Sequence, residues 1–380
     1  MSLKTNFACG GITEEQFPSA ILVSSVALPD GSSYSFTYET TPGFAGYVTG
    51  RLASVTLPTG GRINYTYVGA NDATDCTDGT VIGLNRQTSD GTTTYRRGPG
   101  AITTVTTPSG SKAIYTFTYG GSSNTPLYET QAQYYDTNGS TLLKTVLTCY
   151  NGNTTNCATA LVTQPITERN VYTTLAGMTT SARSDTFYDS TYGVPTSSAV
   201  YDFGGTTPVR TTVIGYGSFT GTSCAAISNI HDYVCLVITR SGGGTGPIVA
   251  DHTNVYDSLG NLLTSSDWVS GSTWLSKTFT YNAGGTLATT KDVNGTVTNY
   301  TYTAGSCNNA FPTSVSSGGL TTSFTWDSPS CNGAVLKSVT DANAKQQPLH
   351  TMIRFGGRHQ QLTHYSMKRI LLIPYRADMK

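Results

Sequence analysis

Apolar positions in this chain alternate with polar ones at a period of two. The alternation is carried by a recurring triplet in which a hydroxyl residue separates two rings: Phe36-Thr37-Tyr38, Tyr65-Thr66-Tyr67, Phe117-Thr118-Tyr119, Phe279-Thr280-Tyr281, Tyr300-Thr301-Tyr302 and Phe324-Thr325-Trp326. In a strand, successive side chains point to opposite faces, so each triplet predicts a strand with both rings on one face and the hydroxyl on the other. A ring pair buried in this way covers roughly 300–500 Å², on the order of 8–12 kcal/mol of gross transfer energy. After each triplet comes turn chemistry and a second strand, as in Tyr256-Asp257-Ser258-Leu259-Gly260-Asn261-Leu262 and Tyr281-Asn282-Ala283-Gly284-Gly285-Thr286-Leu287. Asp and Asn accept hydrogen bonds from their own backbone two residues on, and Gly takes the positive φ of a tight reversal. The return strands end in a second turn, at Asp292-Val293-Asn294-Gly295 and Asp341-Ala342-Asn343. Tyr256, Tyr281, Tyr302 and Trp326 are spaced 25, 21 and 24 residues apart, a near-constant period that reads as a tandem array of hairpins.

The run Tyr-Asp-x-x-Gly-x-Leu, a strand, a second Asp turn and a new aromatic strand resembles the YD repeat of the RHS family. The resemblance rests on Tyr256, Asp257, Gly260, Tyr281, Gly285, Tyr302, Trp326 and Asp327. It divides the chain into a degenerate repeat region over 1–250, clear repeats over 251–345 and a tail over 346–380 outside the pattern. Upstream, Tyr135-Asp136, Tyr188-Asp189 and Tyr201-Asp202 keep the dipeptide, and Leu28-Pro29-Asp30-Gly31 and Leu57-Pro58-Thr59-Gly60 are similar to the family's inter-strand turn. The resemblance implies an all-β fold in which hairpins join edge to edge into part of a spiralling β-sheet shell. It also implies a structural role in a larger secreted or cell-surface bacterial protein, encapsulating or scaffolding a toxin, with the rest of that polypeptide as partner. The same repeat occurs in adhesion proteins, which makes a carbohydrate-binding or cell-adhesion module, with glycans as partners, the second expectation. No Asp-Pro pair is present, so the family's self-cleavage is carried over to no residue.

Composition agrees with strands. There are 41 Gly and 24 Tyr, only 12% of residues are charged, and the straight-chain helix formers are scarce. With 22 basic and 22 acidic residues the chain lacks the electrostatic attraction that nucleic acids or anionic membranes exploit, and neither is expected as a partner. The apolar run from Ile21 to Leu28 is too short and too interrupted for a signal peptide and reads as a strand, so any export signal is expected upstream of Met1 or not at all. Thr13-Glu14-Glu15-Gln16 fits a capping box and predicts one short helix.

The eight cysteines are an even set. Nearest-neighbour pairing gives Cys9–Cys76, Cys149–Cys157, Cys224–Cys235 and Cys307–Cys331, one of 105 connectivities, and disulfides would mean an oxidising compartment. Cys224, His231 and Cys235 could supply three zinc ligands, but a disulfide with a bystander His fits the spacing better. Asp72, Asp75 and Asp78 lack the alternate spacing of a calcium loop. Without a zinc helix, phosphate loop or nucleophile elbow, the chain is read as no enzyme, with no catalytic, cofactor-binding or metal-binding residues. Residues 345–380 hold seven of the 22 basic residues and only one acid, Asp378. Codons for Gln346–Thr351 and Ser366–Ile373 can be shifted to spell Thr-Thr-Ile-Thr-Tyr-Asp and Asp-Glu-Ala-Asp-Thr-Thr-Tyr. The tail is therefore read as translated out of frame, in preference to an anionic-partner tail or a solvated disordered end.

Overall fold

The computed structural model describes every residue except Ile12, Pro29, 122–126, 304–308, 327–335 and 349–380. The fold is all-β. The chain forms two compact units, one of Met1–Val26 with Tyr34–Ser276, the other of Ala27–Ser33 with the residues from Lys277 onward. No helix among the described residues is long and apolar enough to cross a membrane.

In the first unit the main sheet is built by a plain rule, each of its long strands lying antiparallel to the next long strand in sequence, while Ser218–Phe219 and Cys224–Ala225 pair apart as a separate two-stranded sheet. Tyr47–Thr56 pairs with Arg62–Tyr67, then Gly83–Thr88, Gly91–Gly98, Ile102–Thr106, Lys112–Tyr119, Leu127–Tyr135 and Leu142–Tyr150 follow in order. The ladder runs on through Glu168–Leu175, Ala182–Tyr188, Pro195–Tyr201, Arg210–Tyr216, Val234–Ser241, Ile248–Tyr256 and Leu262–Ser270. Tyr47–Thr56 breaks the rule at one edge, where Ser2–Lys4 lies parallel to Tyr47 and Val48 and pairs antiparallel with Gln16–Phe17. The second unit repeats the plain rule through Leu287–Lys291, Val297–Thr301, Ser314–Ser317, Leu320–Trp326, Leu336–Thr340 and Gln346–Pro348.

All six aromatic triplets lie in or directly at the end of a strand, and the ring alternation is visible in the burial. Along Ser33–Thr40, Tyr34, Phe36 and Tyr38 are half-buried while Ser33, Ser35 and Thr37 are exposed, and Phe324 and Trp326 alternate with Thr325 in the same way. The rings are less buried than the sequence leads one to expect. The fully buried apolar residues are small or aliphatic (Ala73, Ala132, Val162, Ala199, Ile227 and several cysteines), and no described aromatic ring joins them. A single sheet layer pairs its strands along both edges but supplies little packing across its faces, so the gross burial per ring pair is overstated. Thr118 inverts the pattern: it is buried at 5% exposure while Tyr119 is 37% exposed.

Three further expectations change. Thr13–Gln16 opens no helix. Both Phe7 and Ala8 donate their backbone N–H to the Glu14 carboxylate, at 2.7 and 3.1 Å, and Gln16 already belongs to a strand. Glu14, which would have stood in the first turn of that helix, caps a loop instead, and Gln16, which would have closed the capping box, is in a strand. Helical geometry occurs among the described residues as a turn over Ala70–Ala73, where Asn71 and Asp72 both sit at φ 51°, in the left-handed region. In the run Ile21–Leu28 only Ser25–Ala27 is strand, and Ile21 is fully exposed. Finally, pairing persists past Lys345, since Gln346–Pro348 extends the ladder against Ser338–Thr340. The remainder of the tail lies outside the described residues.

Candidate functional site

The residues that carry the repeat signature build one local device, a five-residue turn beside a β-bulge. Asp257 donates its N–H to the Asn261 carbonyl (2.9 Å) and accepts the Gly260 N–H at its own carbonyl (3.1 Å). Its carboxylate accepts the N–H groups of Leu259 (2.9 Å) and Asn261 (2.8 Å) and the Asn261 side-chain amide (2.8 Å). These bonds favour the charged form and hold the Asp257 carboxyl below the ordinary range. Gly260, at φ +83°, makes the reversal possible. The same two backbone bonds close the turns that begin at Leu28, Leu57, Thr107, Asn282, Asp292 and Asp341. At the last, Ala344 occupies the positive-φ position, at φ 57°.

Preceding the turn, the pairing register steps by one residue at the ring. Tyr256 faces Leu262, Tyr281 faces Leu287 and Trp326 faces Leu336. Upstream the same step sets Tyr38 opposite Leu52, Tyr188 opposite Pro195 and Tyr216 opposite Val234. A bulge increases local twist and re-aims the side chain, so the ring leans onto the adjoining segment. Tyr256 meets Tyr233 at 5.1 Å between centroids, and Trp326 meets Phe311 at 4.6 Å. Tyr302 follows the strand Val297–Thr301 and is half-buried, and burial pushes its hydroxyl pKa up. Asp327 lies outside the described residues.

Phase, which the dipeptides alone do not reveal, is settled by strand direction. Tyr188-Asp189 and Tyr256-Asp257 end strands that run one way in the first unit. Tyr135-Asp136 and Tyr201-Asp202 end strands that run the other way, at the opposite margin of the sheet.

Cys9–Cys76, Cys149–Cys157 and Cys224–Cys235 are disulfides, with Cα–Cα distances of 5.3, 4.7 and 6.0 Å. Cys307 and Cys331 lie outside the described residues. Each bridge pins an insertion that follows an aromatic strand end: Tyr67, Tyr150 or Tyr216. The insertion after Tyr150 turns back over the sheet. The Thr130 hydroxyl donates to Ala158 O (2.9 Å), and Val162 and Tyr119 are joined by a backbone bond of 3.0 Å. This cover buries Thr118 and turns Tyr119 outward.

Between this insertion and residues 97–101 opens a cleft of about 440 Å³, lined by Asp75, Arg97, Phe117, Tyr119 and Leu161 among others. Arg97 bonds the Asp78 carboxylate at 2.8 Å and stands 3.8 Å from Asp75. Chiefly through that guanidinium, with the Thr80 hydroxyl adding to it, the Asp78 pKa falls to about 2. Asp72 is held elsewhere, by Arg51 at 2.6 Å, and the Arg51 guanidinium also pairs with Glu39 at 2.6 Å and stacks on Tyr67 at 4.1 Å and Phe7 at 4.9 Å. The three aspartates thus face arginines instead of converging on one point. Among the described residues no His, Cys, Asp or Glu cluster has the arrangement of a metal site. His231 stacks on Tyr192 with centroids 4.0 Å apart, over a second cleft of about 200 Å³ beside Asp189 and Tyr216.

No family model and no curated protein matches this chain. Among solved structures, it is similar to a chain of the Photorhabdus luminescens Tc holotoxin pore carrying a TccC3 variant, at 13% identity and a TM-score of 0.44 over 82% of this chain and 14% of that one. It is also similar to chains of TcdB2-TccC3-Cdc42 (13% identity, TM-score 0.24, 82% and 18% covered) and of TcdB2-TccC3 without the hypervariable C-terminal region (12% identity, TM-score 0.24, 83% and 18% covered). The chain spans less than a fifth of the length of each of these structures.

Proposed function

We propose that this chain is a non-catalytic structural segment of a larger exported polypeptide, a strip of YD-type hairpins that walls or scaffolds a toxin-type cargo. The observation that carries the reading is the recurrence of one device: the same five-residue turn and the same register step at an aromatic residue, found in both units. A repeat of this kind buries its face through its neighbours, so its chemistry is that of a wall more than of a pocket. Three disulfides pin the long insertions, which suits an oxidising compartment. The partner is then the rest of the same polypeptide.

The test is limited proteolysis of the full-length parent polypeptide, followed by electron microscopy. Protection of a cargo segment that becomes cleavable once this region is opened, together with a hollow particle, supports the reading. A cargo segment digested at the same rate with and without this region overturns it. The half-exposed rings of Tyr119 and Tyr192 offer stacking surfaces. Glycan-array binding that disappears on Tyr119→Ala or Tyr192→Ala, with no cargo protection, would assign the adhesion role in its place.

A further inference from the structure

In the first unit, the hydroxyl at the end of an aromatic strand reaches back to a backbone carbonyl of the neighbouring strand. Tyr67 donates to Leu52 O (3.2 Å), Tyr150 to Glu129 O (3.2 Å), Tyr216 to Pro195 O (2.6 Å) and Tyr256 to Val234 O (3.1 Å). The four acceptors have one thing in common. Each is the residue that stands opposite a step in the pairing register on its other edge: Leu52 faces Tyr38, Glu129 faces Phe117, Pro195 faces Tyr188 and Val234 faces Tyr216. In the second unit Trp326 donates its indole Nε1–H to Pro312 O at 3.0 Å. The ring type has changed there and the donor has been kept.

We infer that these hydroxyl and indole donors are register latches, positioning residues that tie each bulge to the next hairpin. A bulge sets two residues against one, which makes it the place where a strand pair can slip, and a slip of one residue turns every side chain to the wrong face. A donor arriving from a third strand onto the carbonyl opposite the bulge marks one register out of the alternatives. Links of this kind follow one another: Tyr188 stands opposite Pro195, Pro195 is held by Tyr216, Tyr216 stands opposite Val234 and Val234 is held by Tyr256. Order therefore passes from hairpin to hairpin through donors that hydrophobic packing of the rings does not require. The Val234 carbonyl also accepts the Asn254 amide at 3.0 Å, so Tyr67 and Tyr216 are the cleaner sites to test. The inference concerns how the ladder is held and does not depend on the chain walling a hollow.

The test is hydrogen exchange, read by mass spectrometry, on the full chain carrying Tyr216→Phe, Tyr216→Trp or Tyr67→Phe. Phe keeps the ring and removes the donor; Trp restores a donor, as at position 326. Loss of one such bond is expected to speed exchange about fivefold in the preceding hairpin. That is residues 185–199 for the variant at 216 and residues 35–54 for the variant at 67, with exchange in the mutated strand itself unchanged. Tyr216→Trp is expected to return the upstream rate to that of the parent. Unchanged upstream exchange in both Phe variants overturns the inference, and so does a Trp variant that exchanges as fast as the Phe variant.

Discussion

The positive-φ position of the five-residue turn can be perturbed at three sites whose surroundings differ, which separates backbone strain from crowding. At Gly285, φ is +79° and no atom lies within 4 Å of where a Cβ would stand. Gly285→Ala therefore meets only the left-handed penalty, about 1–2 kcal/mol, offset by roughly 0.4–1 kcal/mol of lost chain freedom in the unfolded state. The expected net loss is about 1 kcal/mol. At Gly260, φ is +83°, and a Cβ would stand 2.7 Å from Ile230 Cδ1 and 2.9 Å from Tyr233 Cε2. Tyr233 already packs against Tyr256, so it cannot withdraw without disturbing that contact. Crowding adds roughly 1–3 kcal/mol, and Gly260→Ala is expected to cost about 2–4 kcal/mol. At Ala344, φ is 57° and the strain is already present, so Ala344→Gly should stabilise its turn by about 1 kcal/mol. Because two units need not unfold together, the assay is local: native-state hydrogen exchange of the turn-closing amides of Asn282, Asp257 and Asp341. At about 1.4 kcal/mol per tenfold, exchange should rise about fivefold in Gly285→Ala and roughly a hundredfold in Gly260→Ala, and fall about fivefold in Ala344→Gly. Equal effects at 260 and 285, or faster exchange in Ala344→Gly, would refute the reasoning.

Three other perturbations follow from the same geometry. Asp78 has its pKa lowered to about 2, so its bond to Arg97 contributes stability that is fully present above the unfolded value near 4 and is lost as pH falls through about 2; carboxyl NMR should give that midpoint, and Asp78→Asn should weaken the acid dependence of the 97–101 segment, leaving the part that Asp75 carries. Replacing Cys149 and Cys157 by Ser should cost about 2–3 kcal/mol for a loop this short, and should expose Thr118 and Thr130 to exchange; unchanged protection at those two residues would show that the insertion holds itself. Arg51→Met leaves the Glu39 and Asp72 carboxylates, 19% and 17% exposed, without their shared guanidinium; partial solvation moderates the usual penalty to roughly 2–3 kcal/mol, measurable as a lowered urea midpoint, and partial recovery in the triple variant with Glu39→Gln and Asp72→Asn would identify the unpaired charge as the cause.

The sequence by itself determined the strand content and many of the turns; for the cysteines it offered nearest-neighbour pairing as one of 105 connectivities, and the structure selected that pairing for the described ones. Strands and turns are local matters: a ring–hydroxyl–ring triplet has one sensible conformation, and Asp or Asn with Gly three residues on favours a tight reversal, although Asp136 closes a wider turn onto Thr141 than Asp257 does onto Asn261. What lay beyond its reach depended on neighbours distant in the chain. Thr118 is buried because an insertion forty residues downstream folds over it, an outcome that period-two reasoning at 117–119 cannot register. Tyr135-Asp136 and Tyr188-Asp189 look alike as dipeptides, yet fall on opposite margins because strand direction is a running parity of every hairpin before them. The Glu14 carboxylate chose the amides of Phe7 and Ala8 over a helix of its own, since tertiary placement overrides a local propensity worth only about a kcal/mol. The register steps at Tyr38, Tyr188 and Tyr216 were equally out of sight, as was the way Tyr67, Tyr216 and Tyr256 reach the carbonyls opposite them. A bulge belongs to a pair of strands and the bond across it to a third, and no single stretch of sequence contains all three.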